Sequence, residues 1–385
     1  MEHLLNEQQQ EIKKLARTIA EEKILPVRAE LDETEEFPRE IMGILADTDM
    51  FRVFIPEEYD GLGGGCLDLC LVVEELSRIC SGVAVSYAAV ALGITPLIQN
   101  GTEEQKRKYL PDVASGKKLT AFAVTEPTAG SDIGAIKTTA QRKDDGYVLN
   151  GTKQFITNGG EAELYTIIAS TDKTKGARGA SAILVEKDTP GFSFGRKEKK
   201  LGIRTSATRE LIFEDCLVPK ENLIGKEGMG FIITMNLFNF TRPGIAAQAI
   251  GVAQGALEAA VAYARERNQF GHPIISLQAI QHMLADMATQ VEAARALTYA
   301  AARTVDSGAK NTSAESSMAK VFASDTAMKV TTDAIQIFGG LGYMRDYPVE
   351  KMFRDAKITQ IYEGTNQVLR NAIALELWKR KGPRT

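Results

Sequence analysis

Leu119-Thr120-Ala121-Phe122-Ala123-Val124-Thr125-Glu126-Pro127-Thr128-Ala129-Gly130-Ser131-Asp132 is where the chain changes from a helical to a strand-like pattern. Ahead of it, residues 6–117 read as helices. Glu11-Ile12-Lys13-Lys14-Leu15-Ala16-Arg17 is amphipathic at helical spacing, and Phe37-Pro38-Arg39-Glu40-Ile41 puts a proline near a helix start, where its missing N–H costs nothing. Residues 67–79 and 83–92 continue the theme, and Thr102 before Glu103-Glu104-Gln105-Lys106 is placed to cap the next helix. From 119 the period becomes two. The runs Ala121-Phe122-Ala123-Val124, Tyr147-Val148-Leu149, Tyr165-Thr166-Ile167-Ile168, Ala182-Ile183-Leu184-Val185 and Leu211-Ile212-Phe213 are separated by Asp144-Asp145-Gly146, Asn158-Gly159-Gly160 and Thr189-Pro190-Gly191, all turn signals. Beyond about 231, alanine-rich segments at 245–267, 278–307, 312–338 and 359–379 read as helices, and 380–385 as a frayed tail. Helices, strands, helices: the order predicts an α+β architecture, a helical bundle split by a β-domain, with units at 1–118, 119–229 and 230–385.

A chain of 385 residues holds two or three such units. Its net charge of −4 lacks the basic stripe that nucleic acid requires, so no nucleic-acid partner is expected. Four cysteines are too few for a disulfide scaffold, and Cys66 and Cys70 have neither a second close pair nor a nearby histidine to make a zinc site. The three histidines are scattered, and no metal is expected. The N-terminus has no apolar core of a signal peptide. Residues 81–98 approach the length of a membrane span but are interrupted by Gly82, Ser86, Gly93, Thr95 and Pro96, which favours a buried helix. A cytoplasmic enzyme without membrane contact is the expectation.

Taken singly, the chemical motifs have ordinary structural explanations. The glycine- and hydroxyl-rich loop after Val124 brings backbone N–H groups close to a planar cofactor or a phosphate, and it equally makes a polar β-turn. Gln154-Phe155-Ile156-Thr157-Asn158-Gly159-Gly160 offers an aromatic ring and a hydroxyl at the next strand's end. Arg265-Glu266-Arg267-Asn268-Gln269-Phe270-Gly271 places cations at a helix C-terminus, where the dipole favours them, and Gln336-Ile337-Phe338-Gly339-Gly340 is a normal helix stop. In Tyr362-Glu363-Gly364-Thr365, an acid precedes a helix, as a capping residue would.

Together, in this order and spacing, these blocks resemble the acyl-CoA dehydrogenases from Glu7 to Trp378. The matching pieces are Val124-Thr125-Glu126-Pro127 with Gly130-Ser131-Asp132, Phe155-Ile156-Thr157-Asn158, Thr241-Arg242-Pro243, Arg267-Asn268-Gln269-Phe270-Gly271, Gln336-Ile337-Phe338-Gly339-Gly340 and Tyr362-Glu363-Gly364-Thr365. The resemblance implies a short- or medium-chain-type enzyme with an N-terminal helical domain, a middle β-barrel-like domain and a C-terminal four-helix bundle. It implies FAD, lined by Phe122, Val124, Thr125 and Ser131 from one strand end and by Phe155, Ile156 and Thr157 from the other. Many relatives carry tryptophan where this chain has Phe155. Arg267, Gln269, Phe270, Gln278, Gln336 and Gly340 match the positions through which a neighbouring subunit completes the cofactor site, in a homotetramer built as a dimer of dimers; Thr365 and Gln367 lie beside the cofactor.

By the same resemblance Glu363 is the base that takes the substrate's α-proton, while flavin N5 takes the β-hydride and passes electrons to an electron-transferring flavoprotein. Some branches place the base at the position of Thr241, which has no carboxylate; this leaves Glu363 and argues against the isovaleryl-type arrangement. Ser131, Arg242, Tyr362, Gly364 and Ala88 are the substrate-binding candidates. The 83–97 segment, expected to floor the acyl pocket, has no lysine or arginine to pair with a second carboxylate, which disfavours glutaryl-CoA. The competing expectations are an acyl-CoA oxidase using O2, usually a longer chain, and a non-catalytic homologue serving as a scaffold.

Overall fold

The computed structural model describes residues 2–144 and 146–379; the tail at 380–385 and Asp145 of the first turn signal lie outside the described residues. Asn6 caps α1 (Glu7–Ile19) by accepting from Gln9 N at 2.8 Å, with the Gln9 side chain reciprocating. Then come α2 (Arg28–Thr34), α3 (Arg39–Asp47, directly after Pro38), α4 (Cys66–Ile79), α5 (Ser81–Asn100) and α6 (Glu103–Ala114), with Thr102 as the last one's cap. Asp306, from the C-terminal half, accepts from Cys66 N and Leu67 N at 2.6 and 2.9 Å and so ties the start of α4 to the bundle.

The middle region is one mixed sheet of β1 (Thr120–Ala123), β2 (Thr139–Lys143), β3 (Gly146–Thr157), β4 (Leu164–Ser170), β5 (Ala180–Glu186), β6 (Phe192–Lys197), β7 (Thr208–Pro219) and β8 (Leu223–Ile224). The order is β6-β7-β3-β2-β4-β5-β8, with β1 parallel to β4. β4 is buried along its whole length, which fits its mostly apolar sequence, and the buried Thr166 hydroxyl donates to the Gly93 carbonyl at 2.8 Å. In β3 the register against β7 slips between Lys153 and Ile156, and that bulge turns Phe155 outward at φ 59°.

The bundle consists of α7 (Gly230–Glu266), α8 (Gln278–Asp306), α9 (Ser313–Phe338), α10 (Pro348–Ile358) and α11 (Asn366–Lys379). Between α7 and α8 a hairpin of β9 (Asn268–Gln269) and β10 (His272–Pro273) turns through Phe270 and Gly271, both at positive φ. α9 packs on α7, α8, α10 and α11. Its buried Ala319, Ala323, Ala327 and Ala334 meet Ala246, Ala249, Ala253 and Ala256 of α7, so small side chains let the backbones approach. α5 and α7 are long and apolar enough to cross a membrane, yet 83% and 72% of their apolar windows are buried within the fold.

Two sequence expectations are corrected here. α7 begins at Gly230, well before 245, because it runs through Pro243. A proline there leaves the Asn239 carbonyl without its helical donor, and the Ser316 hydroxyl of α9 supplies one at 2.7 Å. The 359–379 segment is not one helix: only Asn366–Lys379 is, and the residues before it form the loop that carries Glu363.

Candidate active site

The loop between α10 and α11 holds two consecutive residues in the left-handed region, Glu363 at φ 52° and Gly364 at φ 96°. For a glutamate this costs on the order of 1–3 kcal/mol and persists only where the surroundings over-determine it. They do. The Thr241 hydroxyl donates to Glu363 Oε2 at 2.7 Å, and Arg242 Nε donates to the Glu363 carbonyl at 3.2 Å, both from α7. Lys320 Nζ, from α9, donates to the Gly364 carbonyl at 2.8 Å and to Asn366 Oδ1 at 3.0 Å. Asn366 Nδ2 in turn reaches Ser324 Oγ at 2.9 Å and Asp325 Oδ1 at 2.8 Å. The Tyr362 hydroxyl donates to Gln248 Oε1, whose amide nitrogen donates to Ser81 Oγ at 2.7 Å.

Burial pushes the Glu363 carboxyl up to about 7, against the opposing pull of the Thr241 hydroxyl and the Arg242 and Lys320 cations. Burial likewise brings the Lys320 ammonium down to about 7, with the Glu363 carboxylate opposing the drop. A carboxyl poised near neutrality, in a loop pinned by hydrogen bonds from α7 and α9, has the proton affinity that general-base chemistry calls for.

From this cluster a contact path leads to the sheet. The Arg242 guanidinium lies 5.6 Å from the Phe238 ring centroid, and Phe238 meets Phe122 of β1 edge-to-face at 6.0 Å. Beyond Phe122, Val124 is buried and Thr125 half-buried, and Gln154 N donates to the Thr125 carbonyl at 2.9 Å, which holds the ends of β1 and β3 side by side. Ile156 is buried and Thr157 half-buried, while Phe155 is 58% exposed. Phe155 thus presents an apolar ring beside two hydroxyls, and a planar ring system with polar edges fits that surface. Behind it Lys153 is fully buried, donating to Glu126 Oε1 at 2.7 Å and to the Val124 carbonyl at 3.0 Å. Glu126 also accepts from Thr138 N at 2.9 Å, so the loop is anchored from within.

The remaining candidates divide. Between Ser81 and Leu97 of α5, Ala88 and Leu92 alone are not fully buried, and their spacing puts them on one helix face. Ser131 is exposed in its loop, Tyr362 and Gly364 flank Glu363, and Thr365 caps α11 by accepting from Val368 N at 3.2 Å. Arg267, Gln269, Phe270, Gln278, Gln336, Gly340 and Gln367 are surface residues of the single chain, Phe270 at 88% exposure.

Sequence reading passed over Lys320, Asn366 and Gln248. One signal for Lys320 was available: it sits among Ser316, Ser317, Ala319, Ala323 and Ser324, a small-residue face on which a solvated lysine is out of place.

Three family models match the chain: the N-terminal, middle and C-terminal domains of acyl-CoA dehydrogenase, over residues 6–117, 121–216 and 228–377. A short-chain-specific acyl-CoA dehydrogenase of Clostridium acetobutylicum is 47% identical over 98% of this chain and 100% of its own. The structure of butyryl-CoA dehydrogenase from Megasphaera elsdenii superposes with a TM-score of 0.95, at 46% identity, covering 97% of this chain and 99% of that one. A chain from the structural work on the electron-transferring flavoprotein of Acidaminococcus fermentans and flavin-based electron bifurcation superposes at 0.96, with 50% identity over 99% of this chain and 100% of that one.

Proposed function

The chain belongs to the acyl-CoA dehydrogenase family and is an FAD-dependent acyl-CoA dehydrogenase, and we propose that Glu363 is its α-proton base, acting on a short straight-chain acyl-CoA. The observation that carries the assignment is the Glu363 carboxylate itself: half-buried, raised to about 7 by desolvation, and held by Thr241. FAD, when bound against Phe122, Val124, Thr125, Phe155, Ile156 and Thr157, supplies the acceptor for the substrate's β-hydride.

A thioester α-C–H is a very weak acid, so the base has to be strong, close and dry. Burial makes Glu363 hold a proton more tightly than a solvated carboxylate does, which favours the protonated product of the transfer. The Thr241 hydrogen bond and the Arg242 and Lys320 cations oppose burial, so an ionised fraction persists at neutral pH. The left-handed turn aims the side chain, and Arg242, by gripping the Glu363 carbonyl, fixes the loop to the helix beside the acyl group. The Glu363 backbone N–H is the donor proposed for the thioester oxygen. Ser131 and Arg242 are the groups proposed to meet the polar arm of CoA.

The short-chain assignment is supported by the names of the Clostridium and Megasphaera relatives. An electron-transferring flavoprotein as acceptor is supported by the Acidaminococcus relative. A homotetramer is supported by the exposed Arg267, Gln269, Phe270, Gln278 and Gln336, a set of side chains with no role in the single chain's core. The test is anaerobic titration of the bound flavin with straight, branched and cyclic acyl-CoAs. Butyryl-CoA should bleach it fastest, and a preference for a branched or cyclic acyl-CoA would refute the substrate assignment.

A further inference from the structure

Lys320 is fully buried, yet its ammonium spends its hydrogen bonds on the Gly364 carbonyl in the loop that carries Glu363 and on the Asn366 side chain where that loop enters α11. A buried cation is expensive to desolvate, and a structural anchor for a carbonyl needs only a neutral donor such as serine or asparagine. Ser324 and Asn366, both neutral, already supply such links within 3.2 Å of each other. The charge therefore calls for a separate explanation.

We propose that Lys320 is a positioning residue for proton abstraction: it clamps the left-handed Glu363–Gly364 turn through the Gly364 carbonyl and, while protonated, sets a positive charge behind the base. This inference rests on the assignment of Glu363 and adds to it a residue that touches neither substrate nor the reacting atoms. Two observations carry it. The first is the clamp: Gly364 and Asn366, the two residues bonded by Nζ, bracket Thr365 on the C-terminal side of Glu363, so losing Nζ frees the turn where its backbone is strained. The second is the charge environment. The charged groups facing Lys320 are Glu363 on the loop, Arg242 on α7 and Asp325 on its own helix, and Asp325 is itself paired with Arg370 of α11 at 2.6 Å. Of these, Glu363 is the acid whose ionisation matters to the reaction, and the Lys320 cation lowers its proton affinity.

The sign of the effect follows. Removing the cation raises the proton affinity of Glu363, so the rate of flavin bleaching, which rises with pH as the base ionises, should need a higher pH to reach its limit. The experiment compares Lys320→Met, Lys320→Gln and Lys320→Arg with the parent enzyme, all as FAD-loaded protein, by single-turnover bleaching with butyryl-CoA across pH. Lys320→Met is expected to slow bleaching about 10- to 100-fold at pH 7 and to move the midpoint of the profile upward, with FAD content and butyryl-CoA affinity retained. Lys320→Arg should restore the midpoint toward the parent value. Lys320→Gln should keep part of the limiting rate, through its amide donor, while showing the shifted midpoint. A parent-like rate and midpoint in Lys320→Met overturns the proposal, as does failure of both the Met and Gln variants to fold, which would make the lysine a folding residue. Glu363→Gln, run in parallel, separates the two ideas. If that variant still bleaches, the assignment of the base is what fails; if it is dead while Lys320→Met is parent-like, the role of Lys320 alone falls.

Discussion

Thr241 Oγ1 donates to Glu363 Oε2 at 2.7 Å, across 122 positions of sequence. The hydroxyl stabilises the ionised carboxylate and so lowers a proton affinity that burial has raised. Thr241→Val keeps the shape and removes the donor. A hydrogen bond to a charged group is worth about 1.5–3 kcal/mol, which corresponds to roughly a tenfold or greater change in the ratio of ionised to protonated carboxyl at fixed pH. Because the ionised form is the active one, activity rises with pH through the base's pKa of about 7, and the variant's profile should move to higher pH. The rate at pH 7 should drop roughly tenfold and recover near pH 9. Thr241→Ser, which keeps the hydroxyl, should track the parent enzyme. Identical pH profiles for the valine and serine variants would contradict this account.

Glu363→Gln removes the base while preserving size. The amide still accepts from Thr241, and the loop keeps its Arg242 and Lys320 anchors, so FAD retention and thermal stability should stay near the parent values. Acyl-CoA-dependent bleaching should fall by about 10²- to 10⁴-fold, the usual contribution of a positioned general base. Absorbance of the purified protein reports the first quantity and stopped-flow bleaching the second. Substantial residual bleaching would sink the assignment.

The helix–strand–helix order was legible in the sequence because both periods are strong: Ala121 to Ala123 and Tyr165 to Ile168 lie in strands of the structure, and Thr102 caps as its type suggests. What failed locally failed for tertiary reasons. Pro243 reads as a break, and the helix survives it only because Ser316 on another helix satisfies Asn239. The Glu363 loop reads as the start of a helix, since nothing in Thr359-Gln360-Ile361-Tyr362 interrupts the pattern; Gly364 is the one local sign of the turn. Glu363 itself was singled out through its resemblance to a family pattern, whereas the hydrogen-bond partners around it were not. Thr241 was noted within the Thr241-Arg242-Pro243 match and for lacking a carboxylate, and Lys320 was passed over although Ser316, Ala319, Ala323 and Ser324 around it mark a helix face where a solvated lysine is out of place. Their roles depend on which helix faces the loop, which no local spacing encodes.

Behind the paired strand ends, Glu126 and Lys153 form a buried ion pair at 2.7 Å. Glu126→Gln leaves the lysine buried without its counter-ion, a change that typically costs about 3–5 kcal/mol. Burial already pulls the Lys153 ammonium from 10.5 to about 8, with Glu126 opposing, and losing the carboxylate should pull it lower still. The penalty on the charged form is present in full below that folded pKa and fades as pH climbs toward 10.5, so the variant's deficit in melting temperature should shrink with rising pH. FAD retention should weaken in parallel, because Lys153 also holds the Val124 carbonyl. Melting temperature and flavin absorbance, both followed against pH, provide the check. A deficit that grows with pH would reverse the argument.

Gly364 has φ 96°, and a Cβ built there would lie 2.9 Å from Leu369 Cδ2 and 3.4 Å from its Cγ. Gly364→Ala therefore meets two obstacles: a backbone conformation that L-residues avoid, costing on the order of 1–3 kcal/mol, and a contact with a fully buried leucine. The second can be relieved and the first cannot. Leu369→Ala added to Gly364→Ala should recover part of the alanine variant's stability loss beyond the sum of the single changes, a coupling readable from a thermal double-mutant cycle. Turnover should not recover with it. The strained turn, once relaxed toward an ordinary φ, carries Glu363 away from Thr241, and a displacement of about 1 Å in a reacting group can cost on the order of 10²-fold in rate. If the double variant regained both stability and bleaching, the left-handed turn would be a packing detail and not the device that aims the base.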